Sequence, residues 1–279
     1  MKSNSNCEQP AKYVKVLTIA GSDSSGGAGI QADLKTFSAH GCYGMTVITA
    51  LTAQNTQGVT GIHPVPPEFV KQQLIAVLSD IGVDAVKIGM LYSTELIETI
   101  ASTLSKFKVK KIVLDPVMIA QSGDKLLQND SIEAIKQVLI PQVDLITPNL
   151  PEAAVLVNRK IDTIEEIHDA LIELSKLNCK NILIKGGHLT GNTSNDYLYL
   201  SEEKRVVEFE GKRIETRNNH GTGCTLSSAI ASNLAKGNSL IDSVSNSKKY
   251  IEGAIKSGAS YLIGKGHGPV NHFFDLWNN

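Results

Sequence analysis

The chain has 279 residues, and its 27 Lys+Arg nearly cancel its 28 Asp+Glu. That balance lacks the basic excess that nucleic-acid backbones and anionic membrane surfaces demand, so neither partner is expected. A 42% hydrophobic, 20% charged composition excludes a disordered chain, and four cysteines without CxxC pairing predict neither a disulfide framework nor a zinc ribbon.

Residues 1–12 (MKSNSNCEQPAK) are polar, lack an apolar signal core and predict a flexible tail; 13–279 read as one domain. The cysteine usage predicts a reduced, cytoplasmic protein. No run approaches the ~18 apolar residues of a membrane span. VKVLTIA at 14–20 predicts a strand, and 28–39 a helix with an apolar stripe at Ile30, Leu34 and Phe37. A second strand is expected at 43–51, and 66–81 opens with two prolines as a helix start. Short strands at 85–88, 111–114, 144–147 and 181–185 alternate with helical stretches at 93–106, 131–139 and 163–177. Two helices, 223–236 and 240–258, close the chain. Alternating strands and helices predict an α/β fold: a mostly parallel central sheet with helices on both faces.

In such sheets ligands bind beyond the carboxyl ends of the strands. The unusual residues fall there: Gly21–Gly29, Gln54-Asn55, Gly89-Met90, Asp115-Pro116, Pro148-Asn149 and Gly186-Gly187-His188. Two glycine motifs in the first loop mislead. Gly27-Ala28-Gly29-Ile30-Gln31-Ala32 fits a dinucleotide fingerprint, but that motif needs an acid at the end of the next strand to hold the ribose. Between Leu34 and Pro67 there is no Asp, Glu or Arg, which disfavours a nicotinamide-dependent oxidoreductase. Gly21 and Gly26 have Walker A spacing, but Gly27-Ala28 stand where the lysine and the magnesium-binding hydroxyl belong. Asp23, the loop's one charge, reads equally as a ligand contact or a turn cap.

Asn219-His220-Gly221-Thr222-Gly223-Cys224-Thr225 precedes an apolar helix. Its two glycines permit unusual backbone angles, and N–H groups at a helix start converge on anions, so Gly221, Thr222, Gly223 and Cys224 predict an oxyanion cradle. Cys224 falls in the first turn, where the helix dipole is expected to lower the thiol pKa and favour a thiolate base.

AGSDSSGGAGIQADLKTF (20–37), ALTAQNTQGV (50–59), VKIGML (86–91), LDPVM (114–118), TPNLPEA (147–153), KGGH (185–188), HGTGCT (220–225) and GKGHGPVNHF (264–273) stand in order. Together they resemble the hydroxymethylpyrimidine/phosphomethylpyrimidine kinases of thiamine biosynthesis, in the ribokinase-like superfamily, over roughly residues 14–275. The resemblance implies a ribokinase-like fold, ATP and Mg²⁺ as cofactors, and two phosphorylations of 4-amino-5-hydroxymethyl-2-methylpyrimidine. A homodimer is the expected assembly.

The resemblance also implies roles. Gln54 matches the pyrimidine-recognising position, and an amide offers a ring both donor and acceptor. Asp23, Gly21, Met90 and Val117 match positions around the pyrimidine. Asn149 and Glu152 match an N-x-x-E element that organises magnesium and phosphate, with Asp115 an acid near them. Lys185 matches a phosphate-contacting lysine, and Cys224 stands where related sugar kinases carry a catalytic Asp. Asn219 departs from the family's usual Thr. A pyridoxal/pyridoxine kinase of the same fold is the alternative; the Gln in ALTAQNT favours the aminopyrimidine. A non-catalytic nucleotide sensor would be expected to lose Lys185, Glu152 or Cys224, and none is lost.

Overall fold

The computed structural model describes residues 11–118, 129–187 and 193–277. Most of the expected tail, Asp124 and His188 lie outside the described residues. Nine strands form one sheet in the order β3-β2-β1-β4-β5-β6-β7-β8-β9. They are β1 (Lys15–Asp23), β2 (Tyr43–Asn55), β3 (Gly58–Pro64), β4 (Ala85–Ile88), β5 (Ile112–Leu114), β6 (Leu145–Ile146), β7 (Asn181–Lys185), β8 (Asp196–Leu200) and β9 (Arg205–Phe209). The run β2-β1-β4-β5-β6-β7 is parallel, while β3, β8 and β9 pair antiparallel at the two edges. Strands β3, β8 and β9 were not expected from the sequence.

Two helical layers cover the sheet. One holds α1 (Gly29–Ala39), α7 (Thr222–Ala235) and α8 (Leu240–Gly258). The other holds α2 (Pro67–Asp80), α3 (Thr94–Lys106), α4 (Asn129–Ala134), α5 (Leu150–Val157) and α6 (Ile164–Ser175). Helix α4 continues into a π turn at Ile135–Leu139. The strands serve both layers by strict alternation. Leu17, Ile19, Val86, Ile88, Ile112, Leu114, Ile182 and Ile184 pack with the α2–α6 layer. Val16, Ala85, Val113 and Leu183 face α1, α7 and α8. These strands are apolar on both faces, which is why they read as continuous hydrophobic runs. Two mid-strand positions break the pattern: Thr18 in β1 and the charged Lys87 in β4, both fully buried.

Strand order reverses at β1, whose neighbours are β2 and β4. The crevice this opens lies beyond the carboxyl ends of the strands and locates the site.

Candidate active site

Loops beyond β1, β4, β5 and β7 and the start of α7 line one cavity of about 780 Å³. At one end lie Gly21, Gln54, Met90 and Val117. Gly21 interrupts the β1–β2 register, and a Cβ there would meet Met90 Sδ at 3.3 Å. The Thr49 hydroxyl donates to the Met90 carbonyl at 2.9 Å and holds that loop. Gln54 is anchored by its backbone: its N–H donates to Ser24 Oγ at 2.9 Å. Thr52 Oγ1 lies 3.1 Å from Gln54 Oε1, and the amide's other end, 3.4 Å from His220, fronts the cavity.

Asp23 sits at the edge of this pocket, but its carboxylate is consumed internally. It accepts from Ser25 N and Oγ, Gly27 N and Ala28 N, and pairs with His220 Nε2 at 2.8 Å. Burial works to raise its pKa; the bonds from His220, Ser25 and Ala28 prevail and hold it well below the usual carboxylate range. With five donors on two oxygens, Asp23 organises the loop rather than reading a substrate. The pair also couples the two glycine-rich loops. Gly221, at φ +78°, lies so close to the Gly27 carbonyl that any Cβ would collide with it. Sequence reasoning missed this partnership of Asp23 with His220, because nothing local links two residues so far apart in the chain.

Lys185, at the end of β7, donates to Asp115 Oδ1 at 2.8 Å. Asp115 also accepts from Thr147 Oγ1 at 3.2 Å. Burial would raise its pKa, but Lys185 and Lys87 hold it below its ordinary value. Asn149 and Glu152 form a capping box on α5: Glu152 N donates to Asn149 Oδ1 at 2.9 Å, and Asn149 N donates to Glu152 Oε2 at 2.8 Å. The side-chain oxygen of Asn149 thus spends one lone pair on the helix, which leaves its second lone pair and its NH₂ for a water or a phosphate. Glu152 is 4% exposed, and burial pushes its carboxyl up to about 7. Among the described residues no group of three acids, histidines or cysteines is arranged to hold a metal ion directly.

Helix α7 begins at Gly221 with no side chain capping its first turn. Its N-terminal amides at Gly223 and Cys224 thus border the cavity as donors of the kind that bind anions, joined by the Thr222 N–H, which makes only a long bond of 3.4 Å to the Asn219 carbonyl. A Cβ at Gly223 would meet Lys185 Nζ at 3.3 Å, so the ammonium and the amides converge. The Cys224 thiol departs from the expected lowered pKa: burial pushes it up to about 11, more than the charge of Lys87 and the Gly29 N–H pull it down. At neutral pH it is a thiol.

The cavity's far end was not anticipated. It is walled by Ile214, Ile251 and Ile255, beside Lys212 and Arg213. The period of α8, which puts Lys248, Ile251, Glu252 and Ile255 on one face, was the available signal.

The fold and this site define a class: a small-molecule kinase of the ribokinase-like kind, in which an anion cradle and charge placement do the work. Comparison with known proteins narrows it. The phosphomethylpyrimidine kinase family model matches residues 23–271, and the chain belongs to that family. It is 45% identical over 267 residues to the hydroxymethylpyrimidine/phosphomethylpyrimidine kinase of Escherichia coli, covering 95% of this chain and 100% of that one. It is 48% identical to a thiamine biosynthesis bifunctional protein of Geobacter sulfurreducens, where the match covers 96% of this chain and 54% of that protein. The chain therefore spans about half of the bifunctional relative and all of the shorter one. Among solved structures, the ADP complex of Bacillus subtilis pyridoxal kinase superposes with a TM-score of 0.88 at 36% identity, covering 96% and 100% of the two chains.

Proposed function

We propose that this chain transfers the γ-phosphoryl group of ATP to the hydroxyl of 4-amino-5-hydroxymethyl-2-methylpyrimidine, and then phosphorylates the monophosphate to the diphosphate. The observation that carries the reading is one cavity with an uncapped helix N-terminus at its middle. On one side lies a pocket with an amide, Gln54, suited to an aminopyrimidine edge; on the other lies an apolar cleft suited to a purine. Gly21, Met90 and Val117 wall the pyrimidine, and Gln54 orients it. Amides of Gly221–Cys224 and the Lys185 ammonium stabilise charge on the transferring group. Cys224 receives the acceptor hydroxyl's proton as the new O–P bond forms, so the rate follows its thiolate fraction.

Mg²⁺ belongs to this reading as a hydrated ion that neutralises phosphate charge, approached through water by Glu152 and Asp115. A capped Asn149 and a Lys185-paired Asp115 suit water-mediated contact better than direct ligation. A cytoplasmic location agrees with the described helices, none of which is long and apolar enough to cross a membrane. A homodimer is part of the proposal, supported by exposed Leu51 on the outer hairpin β2–β3 and exposed Tyr43 at the other end of β2; sedimentation velocity tests it.

The closeness of the fold to a pyridoxal kinase favours pyridoxal as the competing acceptor. A ³¹P NMR time course with ATP and hydroxymethylpyrimidine, its monophosphate or pyridoxal decides between them. Diphosphate formation from the pyrimidine is expected. Phosphorylation of pyridoxal without any diphosphate from the pyrimidine would replace the proposal with its rival.

A further inference from the structure

Lys87 is the residue the proposed chemistry leaves unused. It lies in mid-β4 among apolar strands, with a side chain 0% exposed, yet it borders the cavity floor. Its ammonium donates to both oxygens of Asp33, at 3.0 and 2.9 Å. Asp33, also 0% exposed, accepts in addition from Thr18 Oγ1 at 2.6 Å and from Ser228 Oγ at 2.6 Å. The quartet thus joins β1, α1, β4 and α7 through buried charge.

Two features tie this quartet to the site. Ser228 stands one turn after Cys224 on α7, so the two side chains share a face. And Gly89, two residues beyond Lys87, keeps the space open: a Cβ there would meet Lys87 Nζ at 2.8 Å. A buried ion pair is weak evidence for stability, since apolar residues of similar volume often serve as well. Another use is called for, and Cys224, which lines the same cavity as Lys87, carries the thiol that needs a cation to ionise.

We propose that Lys87 is a positioning residue for Cys224: with Asp33 and Ser228 it fixes the turn that carries the thiol, and its ammonium, on the wall of the same cavity, is the buried countercharge for that sulfur. Four charged groups act in this pocket: Lys87 from β4, Asp33 from α1, Asp115 beyond β5 and Lys185 from β7. Of these Lys87 exerts the largest charge effect on the thiol, in the direction that favours thiolate. Burial opposes thiolate, and Lys87 keeps it within reach. The inference rests on the proposed role of Cys224, but its physical content is independent of turnover.

The experiment is alkylation of the ligand-free full chain with iodoacetamide, followed at the Cys224 peptide by mass spectrometry across a pH series. Lys87→Met should slow Cys224 alkylation roughly tenfold or more at about pH 9, while Lys87→Arg, which keeps the charge, stays within about threefold of wild type. In the kinase assay Lys87→Met should lose roughly tenfold or more in kcat with the pyrimidine KM within about threefold. Should Lys87→Met fail to fold, Lys87→Met/Asp33→Leu removes both charges together and should still alkylate more slowly than wild type. A folded variant lacking Lys87 whose Cys224 alkylates at the wild-type rate overturns the inference. A wild-type chain that phosphorylates no acceptor sinks the proposed function instead, and the alkylation series still judges Lys87.

Discussion

At the residue scale, burial decides what each site group can do. Cys224 shows this most sharply: a helix start alone argues for a thiolate, but desolvation outweighs the dipole and leaves a thiol at about 11. If Cys224 is the proton acceptor, log kcat should climb with pH from about 7 to 9 with a slope near one, and Cys224→Ala should lower turnover by roughly 10²–10⁴-fold and flatten the climb. A steady-state pH profile checks both. Gln54 makes a different demand, since its amide fronts the pocket without full internal pairing. Gln54→Leu should weaken pyrimidine binding by about 1–3 kcal/mol and leave ATP affinity unchanged, measured by calorimetry. Glu152 gives a stability test. Its folded pKa of about 7 exceeds that of an unfolded glutamate, so the stability it contributes is full in acid and lost as pH rises through about 7. Glu152→Gln should therefore melt above wild type at about pH 8, with the gap closing by about pH 5; an identical gap at both ends of the range would contradict the buried, protonated carboxyl. The candidate site was largely legible from the sequence, because its residues cluster where strands end. The partners of those residues were not: Asp23 meets His220, and Asp33 meets Lys87 and Ser228, through contacts that only the fold creates.

At the element scale, the central parallel strands were legible and the edge strands were not. Strands β4 and β7 are short, mostly apolar runs, legible as strands from their length and the turn residues and helical stretches around them. Strand β3 holds two glycines and ends in proline, as tolerated at an edge but against the usual strand signature. Helix α5 is only eight residues long, too short for its period to stand out beside the TPNLPEA motif. Its capping box turns out to be the element's own reason for existing. Asn149→Ala should cost about 1 kcal/mol of stability, read by urea unfolding, and should also displace Glu152 and so lower activity. A loss of activity without any loss of stability would mean that Asn149 contacts the nucleotide after all.

At the scale of the whole molecule, one anion cradle must serve both phosphorylations, because the other glycine-rich helix start on the cavity, at Ala28-Gly29, has the Gly27 and Ala28 amides just before it committed to the Asp23 carboxylate. In the second step the acceptor is already an anion, so a proton acceptor matters less and positive charge matters more. Cys224→Ala should accordingly damage the first transfer more than the second, and Lys185→Met should damage both, as followed by ³¹P NMR started from the alcohol and from the monophosphate. Equal losses in both steps for Cys224→Ala would contradict its proton-accepting role. The contact of Gly221 with the Gly27 carbonyl carries one more consequence. The first loop of the chain and the start of its seventh helix must touch before the cradle exists, and nearly all of the sheet lies between them in sequence. Such a distant closure is among the slowest pairings a chain makes. Catalytic activity regained after dilution from denaturant should therefore lag behind the return of helical circular dichroism, arriving with the last long-range contact rather than with the first collapsed core.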